Sequence, residues 1–467
     1  MQSKRGGLTM KNQYRFVSRI IIEAKSPLNI GSGNKGIKSD SLVLRDINGL
    51  PFIPGTTIAG LLRHSLGNDA DKYMGSQQMG SPLVITEAKM LDSDGTVLDG
   101  IIPQEKLRSE FLVNFRQSPI RQHAKIGHRG ATVKGGKFDE EIVLKGTRFC
   151  FEMEMLSDKD DDTKFKEILN TLNSDTFRIG SGSRSGFGEI EVVDCQCQYK
   201  KIDLDNPGQR KWYLKKPSSL SEEWQDAETT KLNKPNTAGW TTYTLQLKPV
   251  DFMLFGSGFG NDQADMTYVR ESFVDWSSGT ARMKNREHVI LIPASSVKGA
   301  LSHRLAFHYN KIKERFADEL KEGEKIEDYV GKNNEAVKAV FGSEGEKDTD
   351  GKMQNKQRGN VLISDIIQEA PVSPKILNHV AIDRFTGGAI DGALFNEETL
   401  YAKGQSFELK LLVSNSAFDD KDVMTAFEDT LKDLCSGMLP LGGGVNRGNG
   451  CFEGTIKRNG EPIYGDN

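Results

Sequence analysis

Two short glycine loops carry the clearest chemical potential in this 467-residue chain: Gly31-Ser32-Gly33 and Gly256-Ser257-Gly258. Glycine permits positive φ and close backbone approach, so such a loop can turn its N–H groups toward a phosphate. The loops are copies of one another. Asp40 with Arg45-Asp46 matches Asp265 with Arg270-Glu271 at the same offset of 225 (256 − 31 and 265 − 40). Farther on, Ile53-Pro54, Gly60 and His64 match Ile292-Pro293, Gly299 and His303 at an offset of 239 (292 − 53 and 303 − 64). Pro54-Gly55-Thr56-Thr57 and Pro293-Ala294-Ser295-Ser296 read as helix starts with Thr or Ser as N-cap. Their unpaired N–H groups and positive dipole end suit an anion. Lys298 adds a charge in the second copy, where the first has Ala59. Each copy closes on a glycine-rich loop around one arginine, Arg184 in Gly180 to Gly188 and Arg447 in Gly442 to Gly450. Neither loop has the Gly-Lys-Ser/Thr of a Walker A motif or the spacing of a dinucleotide fingerprint. Together the residues predict a phosphate-binding surface written twice, with plain turns at the glycine loops and plain core helices at the helix starts as the alternatives.

These loops need rigid elements on either side. Tyr14 to Ala24 (YRFVSRIIIEA), rich in β-branched and aromatic residues, reads as a strand, and 241–247 (TTYTLQL) as its partner. Ile58, Leu61, Leu62 and Leu66, and in the second copy Val297, Ala300, Leu301 and Leu305, form an apolar stripe at helical period. Residues 82–86 (PLVIT) and 360–364 (NVLIS) read as buried strands. Then the stretch from His128-Arg129 through Phe138 to Gly146 matches that from Asp383-Arg384 through Phe395 to Gly404, and both predict a projecting hairpin. Alternating strands at 149–155 and 407–413 follow, then helices at 162–172 and 422–434. The expected organisation is a first domain over 1–198, a charged linker over 199–240 that Trp212 and Trp224 could partly order, and a second domain over 241–467. Within the last, 312–356 reads as an insertion, a helix followed by a mobile loop.

Composition narrows the class. With 36% hydrophobic and 27% charged residues, the chain matches an ordinary globular protein. No run of eighteen apolar residues exists and the basic start MQSKRGG leads into no apolar signal segment, so a cytoplasmic protein without a membrane partner is expected. Five scattered cysteines, with no C-x-x-C, argue for buried free thiols and against a disulfide framework or structural zinc. A net charge of −3 is no global mark of nucleic-acid binding. Local charge matters more: Lys106, Arg108, Arg116, Arg121, Lys125, Arg129, Lys134 and Lys137 fall in one stretch.

Taken together, the strand, Gly-Ser-Gly, the I-P-G-T-T or I-P-A-S-S helix start, the arginine-bearing hairpin and the terminal G-x-x-x-R loop resemble the RAMP superfamily of CRISPR-associated proteins. The nearest likeness is to the backbone subunit of type III effector complexes, fused as two copies in the manner of type III-D systems. That resemblance implies an α+β fold of two tandem modified ferredoxin-like (RRM-like) domains, each with a thumb β-hairpin. It implies partners: a CRISPR RNA, a complementary target RNA and other type III subunits. Arg129 and Arg384 fall at thumb positions. The family's target-cleaving aspartate maps to Asp40 in I-K-S-D-S-L-V-L-R-D and to Asp265 in A-D-M-T-Y-V-R-E, where Asp262 competes for the role. A carboxylate there can hold Mg²⁺ beside a scissile phosphate while the neighbouring 2′-hydroxyl attacks. Asp40 pairing with Arg45 is the bland alternative. Two further readings stay open: a scaffold that only binds, and a metal-independent processing RNase with His64 or His303 as general base.

Overall fold

The computed structural model describes residues 12–36, 39–127, 130–320, 323, 325–331, 333–343, 345–347, 353–371 and 373–465. The chain begins with β1 (Tyr14–Ala24), whose Phe16, Ile20 and Ile22 are buried on one face. It continues through α1 (Gly55–Leu66), α2 (Ala70–Met74) and β2 (Leu83–Ile85) to a hairpin of β3 (Ile120–Ile126) and β4 (Thr132–Glu141). Then come β5 (Arg148–Ser157), α3 (Thr163–Thr171), β6 (Ile190–Asp203), α4 (Pro207–Lys215) and β7 (Glu228–Lys231). The sheet runs β2-β5-β1-β6-β7 with every neighbouring pair antiparallel. Ile58 and Leu62 of α1 and Phe165 and Leu169 of α3 pack on Phe16, Ile20 and Phe151 of that sheet. Burying each such side chain contributes roughly 1.5–3 kcal/mol.

The second half repeats the pattern with a core of its own. Its elements are β8 (Trp240–Pro249), α5 (Ala294–Ile312), α6 (Glu335–Phe341), β9 (Val361–Ile363), a hairpin of β10 (Ser373–Ile382) and β11 (Ala389–Tyr401), β12 (Phe407–Ser414), α7 (Lys421–Cys435), β13 (Phe452–Arg458) and β14 (Glu461–Tyr464). The sheet order β9-β12-β8-β13-β14 follows the same path, while the first sheet adds the short strand Lys89–Met90 beside β5. Tyr243, Leu245, Val297, Leu301, Phe427 and Leu431 form its core. The molecule is α+β, built twice on antiparallel sheets. No helix of the described residues is long and apolar enough to cross a membrane.

Four expectations change. The helices begin two or three residues earlier than their Thr and Ser caps would have them, with Pro54 and Pro293 in the N-cap position and no side-chain cap of their own. At α1 the tight start needs Gly55, because a Cβ there would collide with the carbonyl of Ile85. At α5 the carboxylate of Asp365 arrives from the end of β9 and accepts from the Ala294 N–H at 2.7 Å. Residues 199–240 are more than a tether: β6 continues to Asp203, β7 pairs with it, and Trp224 packs on Val17 and Ile202 beneath the Arg19 guanidinium. That segment covers the second face of β1, which the charged composition conceals. Nor is 312–356 wholly an insertion. α6 buries Ala336, Val337, Val340 and Phe341 in the second core, and Ser343 bridges Gln357 after it as Ser76 bridges Met79 after α2. The added residues lie on either side of this counterpart of α2. Of the free cysteines, Cys150, Cys197 and Cys435 are buried as expected, whereas Cys195 is exposed at the irregularity in β6.

The copies meet through buried charge. Arg121 of β3 lies between Glu271 and Asp365, and all three are nearly inaccessible to solvent. Burial disfavours the guanidinium charge, but the two carboxylates outweigh it and raise the Arg121 pKa. Around this triad, the Trp276 indole N–H donates to the Gly146 carbonyl at 2.8 Å and the Val274 N–H to the Lys145 carbonyl at 2.8 Å. Gly146, at φ +83°, leaves no room for a Cβ against Val274. The first hairpin therefore stands wedged against the second copy.

Candidate nucleic-acid interface

Asp40 and Asp265 occupy one geometry. Asp40 is exposed and its Oδ2 accepts from the backbone N–H of Asp139 on β4 at 3.2 Å. Asp265, also exposed, accepts through Oδ2 from the N–H of Asn396 on β11 at 2.9 Å. The loops then run parallel to those strands, Ser41 beside Glu140 and Met266 beside Glu397. Arg45 does not neutralise Asp40: its guanidinium donates to the carbonyls of Gly49 and Phe115 and to Ser118, with Glu141 at 3.9 Å. Arg270 likewise binds Glu398 through two contacts of 2.7 Å. No described cation stands within ion-pair distance of either aspartate. Asp262 makes none of these equivalent contacts, so the repeat places Asp265 opposite Asp40.

Each hairpin adds an aromatic pair that sequence reasoning passes over. His123 stacks on Phe138 with ring centroids 4.8 Å apart, and His379 stacks on Phe395 at 4.9 Å. Both histidines sit directly opposite their phenylalanines in the hairpin register. Gln122-His123-Ala124 and Asn378-His379-Val380 stand at an offset of 256 (379 − 123) rather than the 255 of the arginines, which hides the match. Phe138 and Phe395 are about two-fifths exposed. Burial, with the charge of Arg121 adding to it, pulls the His123 pKa down to about 4, so its ring is neutral at physiological pH. Glu140 lies 3.7 Å from His123, and Glu397 lies 3.2 Å from His379.

The phosphate-directed residues divide between the copies. Around the first loop, Gly31 and Gly33 are exposed, Ser32 donates to the Leu42 carbonyl at 2.9 Å, and space is open beside Gly33 at φ +79°. The second loop repeats the turn, with Ser257 donating to Thr267 at 2.8 Å and Gly256 exposed, but Gln122 of β3 lies against Gly258 where a Cβ would stand. Thr56 is exposed and Thr57 half-buried in the first turn of α1; Ser295, Ser296 and Lys298 are half-buried at the start of α5. The first N–H of α5 is taken by Asp365, so this helix end is less open to an anion than the sequence suggests. Arg447 binds Glu397 through two contacts of 2.6 and 2.7 Å. Arg184 instead crosses to the second copy, its Nε donating to the Gly359 carbonyl at 2.8 Å. Arg384 is exposed at the tip of the second hairpin, in a turn held by Asp383; Arg129 lies outside the described residues.

The model of the RAMP superfamily matches twice, over residues 21–191 and 283–453. The chain belongs to the RAMP superfamily. A relative, the CRISPR system Cms endoribonuclease Csm3 of Methanocaldococcus jannaschii, is 27% identical over 228 residues, covering 44% of this chain and 89% of the relative. The relative is thus matched over most of its length by less than half of this one.

In each RAMP repeat the exposed aspartate meets the hairpin strand at the residue that follows the stacked phenylalanine. Among the described residues no group of three His, Cys, Asp or Glu side chains could hold a metal ion. Each aspartate keeps one oxygen free of the backbone contact, a single hard donor. That suits Mg²⁺, which retains several waters and commonly takes one or two carboxylates together with substrate phosphate oxygens. It does not suit zinc, whose sites gather three or four protein ligands.

Proposed function

We propose that this chain is a double backbone subunit of a type III CRISPR effector complex. It holds a CRISPR RNA along its phosphates and cleaves complementary target RNA once per RAMP repeat, at Asp40 and at Asp265. The observation that carries this reading is the twin geometry of the two aspartates, each exposed, unpaired with any described cation and anchored to the second strand of a hairpin. On this reading each repeat is a modified ferredoxin-like domain, and its hairpin is a thumb that displaces a base of the guide–target duplex. Phe138 and Phe395 offer that base a stacking face, stiffened by the histidine behind each ring. Phosphate contacts carry little sequence information, as a protein that must accept any guide requires.

Within the site, Asp40 or Asp265 holds its carboxylate against the scissile phosphate, and the backbone N–H of Asp139 or Asn396 fixes its direction. A bound Mg²⁺ would supply charge stabilisation for the phosphate as it gains negative charge. The neighbouring 2′-hydroxyl attacks phosphorus and gives its proton to solvent, while the bond to the 5′-oxygen breaks and that oxygen takes a proton from solvent. The products are a 2′,3′-cyclic phosphate and a 5′-hydroxyl, and DNA resists because it lacks the nucleophile. His64 is poorly placed as a general base, since its Nε2 faces the Arg358 guanidinium at 3.4 Å. The test is a complex reconstituted with guide and neighbouring subunits, given labelled complementary RNA with Mg²⁺ and with EDTA. Cutting that stops in EDTA supports the reading; cutting that persists favours the metal-independent route, and assembly without any cutting makes the chain a scaffold.

A further inference from the structure

The arginines that close the two repeats differ in how their charge is met. Arg447 is neutralised by Glu397, whereas no described carboxylate pairs with Arg184. The Nη1 of Arg184 is buried and has no hydrogen-bond partner. Burial and the neighbouring charges of Arg358 and Arg178 lower its pKa to about 10. Arg178 is compensated by Glu189 at 3.1 Å. Arg358 is exposed, and its contact is with His64 of α1, an uncharged or like-charged neighbour; no described carboxylate reaches it. Beside His64 a cleft opens, lined by Gly60, Arg63, Gly67 and Asn68, in which Arg63 is already paired with Asp71. Two guanidiniums from different repeats thus face the same junction with no described counter-ion between them. Like charges held together repel, and an anion bound by both turns that repulsion into two charge-assisted contacts.

We propose that Arg184 and Arg358 form one phosphate seat spanning the two repeats, with His64 positioning the Arg358 guanidinium, and that a backbone phosphate of the bound RNA occupies it. This rests on the reading of the chain as an RNA-binding backbone and adds a residue, Arg358, that has no counterpart in the first repeat, where Gly80 stands at the matching position. A phosphate held between the repeats would fix the RNA in register with both aspartates.

The experiment measures binding of a labelled single-stranded RNA to the full chain over a salt series, for the parent, Arg358→Ala, Arg358→Lys and the control Arg286→Ala. Loss of one phosphate contact should flatten the slope of log affinity against log salt by about 0.7 for Arg358→Ala, while the lysine variant keeps most of the slope and the control keeps all of it. Without RNA, Arg358→Ala should melt at or above the parent temperature, because the charge that opposes the buried Arg184 guanidinium is removed. Inorganic phosphate should leave the parent's melting temperature unchanged if the ligand is the RNA backbone; a rise that Arg358→Ala abolishes would assign the seat to free phosphate and overturn the RNA assignment. A parent that binds RNA while Arg358→Ala keeps its full slope overturns the seat alone. A parent that binds no RNA at any salt overturns the seat and the functional reading together.

Discussion

Asp265 and Asp262 lie three positions apart on one exposed loop, yet only Asp265 accepts the N–H of the hairpin strand as Asp40 does. Asp262→Ala should therefore leave both cuts in a target RNA, and Asp265→Ala should remove one; cleavage mapping distinguishes them. The sequence left the two in competition because spacing alone cannot say which carboxylate meets a strand more than a hundred residues away. His123 gives a second outcome at this scale. The unfolded chain takes up a proton near pH 6.5, which the folded ring refuses until about 4, so stability falls as pH drops through that window. The parent should lose more of its melting temperature between about pH 7 and about pH 4.5 than His123→Gln does. Parallel melting curves would contradict the burial of a neutral ring. Arg447 meets Glu397 through Nη2 alone and is partly exposed, which leaves its other N–H donors for a phosphate. Arg447→Ala should weaken guide binding with a shallower salt slope, and an unchanged slope would remove it from the interface.

Strands with strong alternation were legible to within a residue or two: β1 spans the predicted Tyr14–Ala24, and β12, Phe407–Ser414, adds one residue to the run read from sequence. The hairpins were legible only in part: β4 and β11 lie inside the stretches read from sequence, whereas their partners β3 and β10 precede those stretches. What sequence conceals is burial supplied by distant parts of the chain. Trp224 covers β1 from within a charged segment, and α6 enters the second core from a stretch dominated by Lys, Glu and Gly. The helix starts mislead because proline shapes the entrance to α5 and a distant aspartate supplies the cap. The hairpin β3 makes a prediction of its own. Arg121→Met would leave Glu271 and Asp365 buried without their cation, costing about 3–5 kcal/mol. Adding Glu271→Gln and Asp365→Asn should restore much of the lost melting temperature, since the amide oxygen introduced by the second change can still accept from the helix start. No recovery would mean that the triad is not what holds the junction.

At the scale of the molecule, duplication and α+β class follow from the repeated motifs, and two sheets with the same strand order bear them out. The docking of the repeats was not legible, because its residues are not themselves repeated: Arg121 is matched in the second hairpin register by Leu377. That asymmetry makes the chain one body with two similar surfaces, in which the first hairpin is braced by the second repeat. Two aspartates on such a body should act at a fixed separation along a bound RNA. The most direct measurement maps the cuts in an end-labelled complementary RNA made by complexes carrying the parent chain, Asp40→Ala, Asp265→Ala or both substitutions, with guide binding measured alongside. The account predicts two cuts for the parent, a different single cut for each variant, none for the double variant, and the same guide affinity throughout, because a carboxylate that stabilises the transition state affects rate and not the loop's hold on RNA. A double variant that makes both cuts at the parent rate would contradict it.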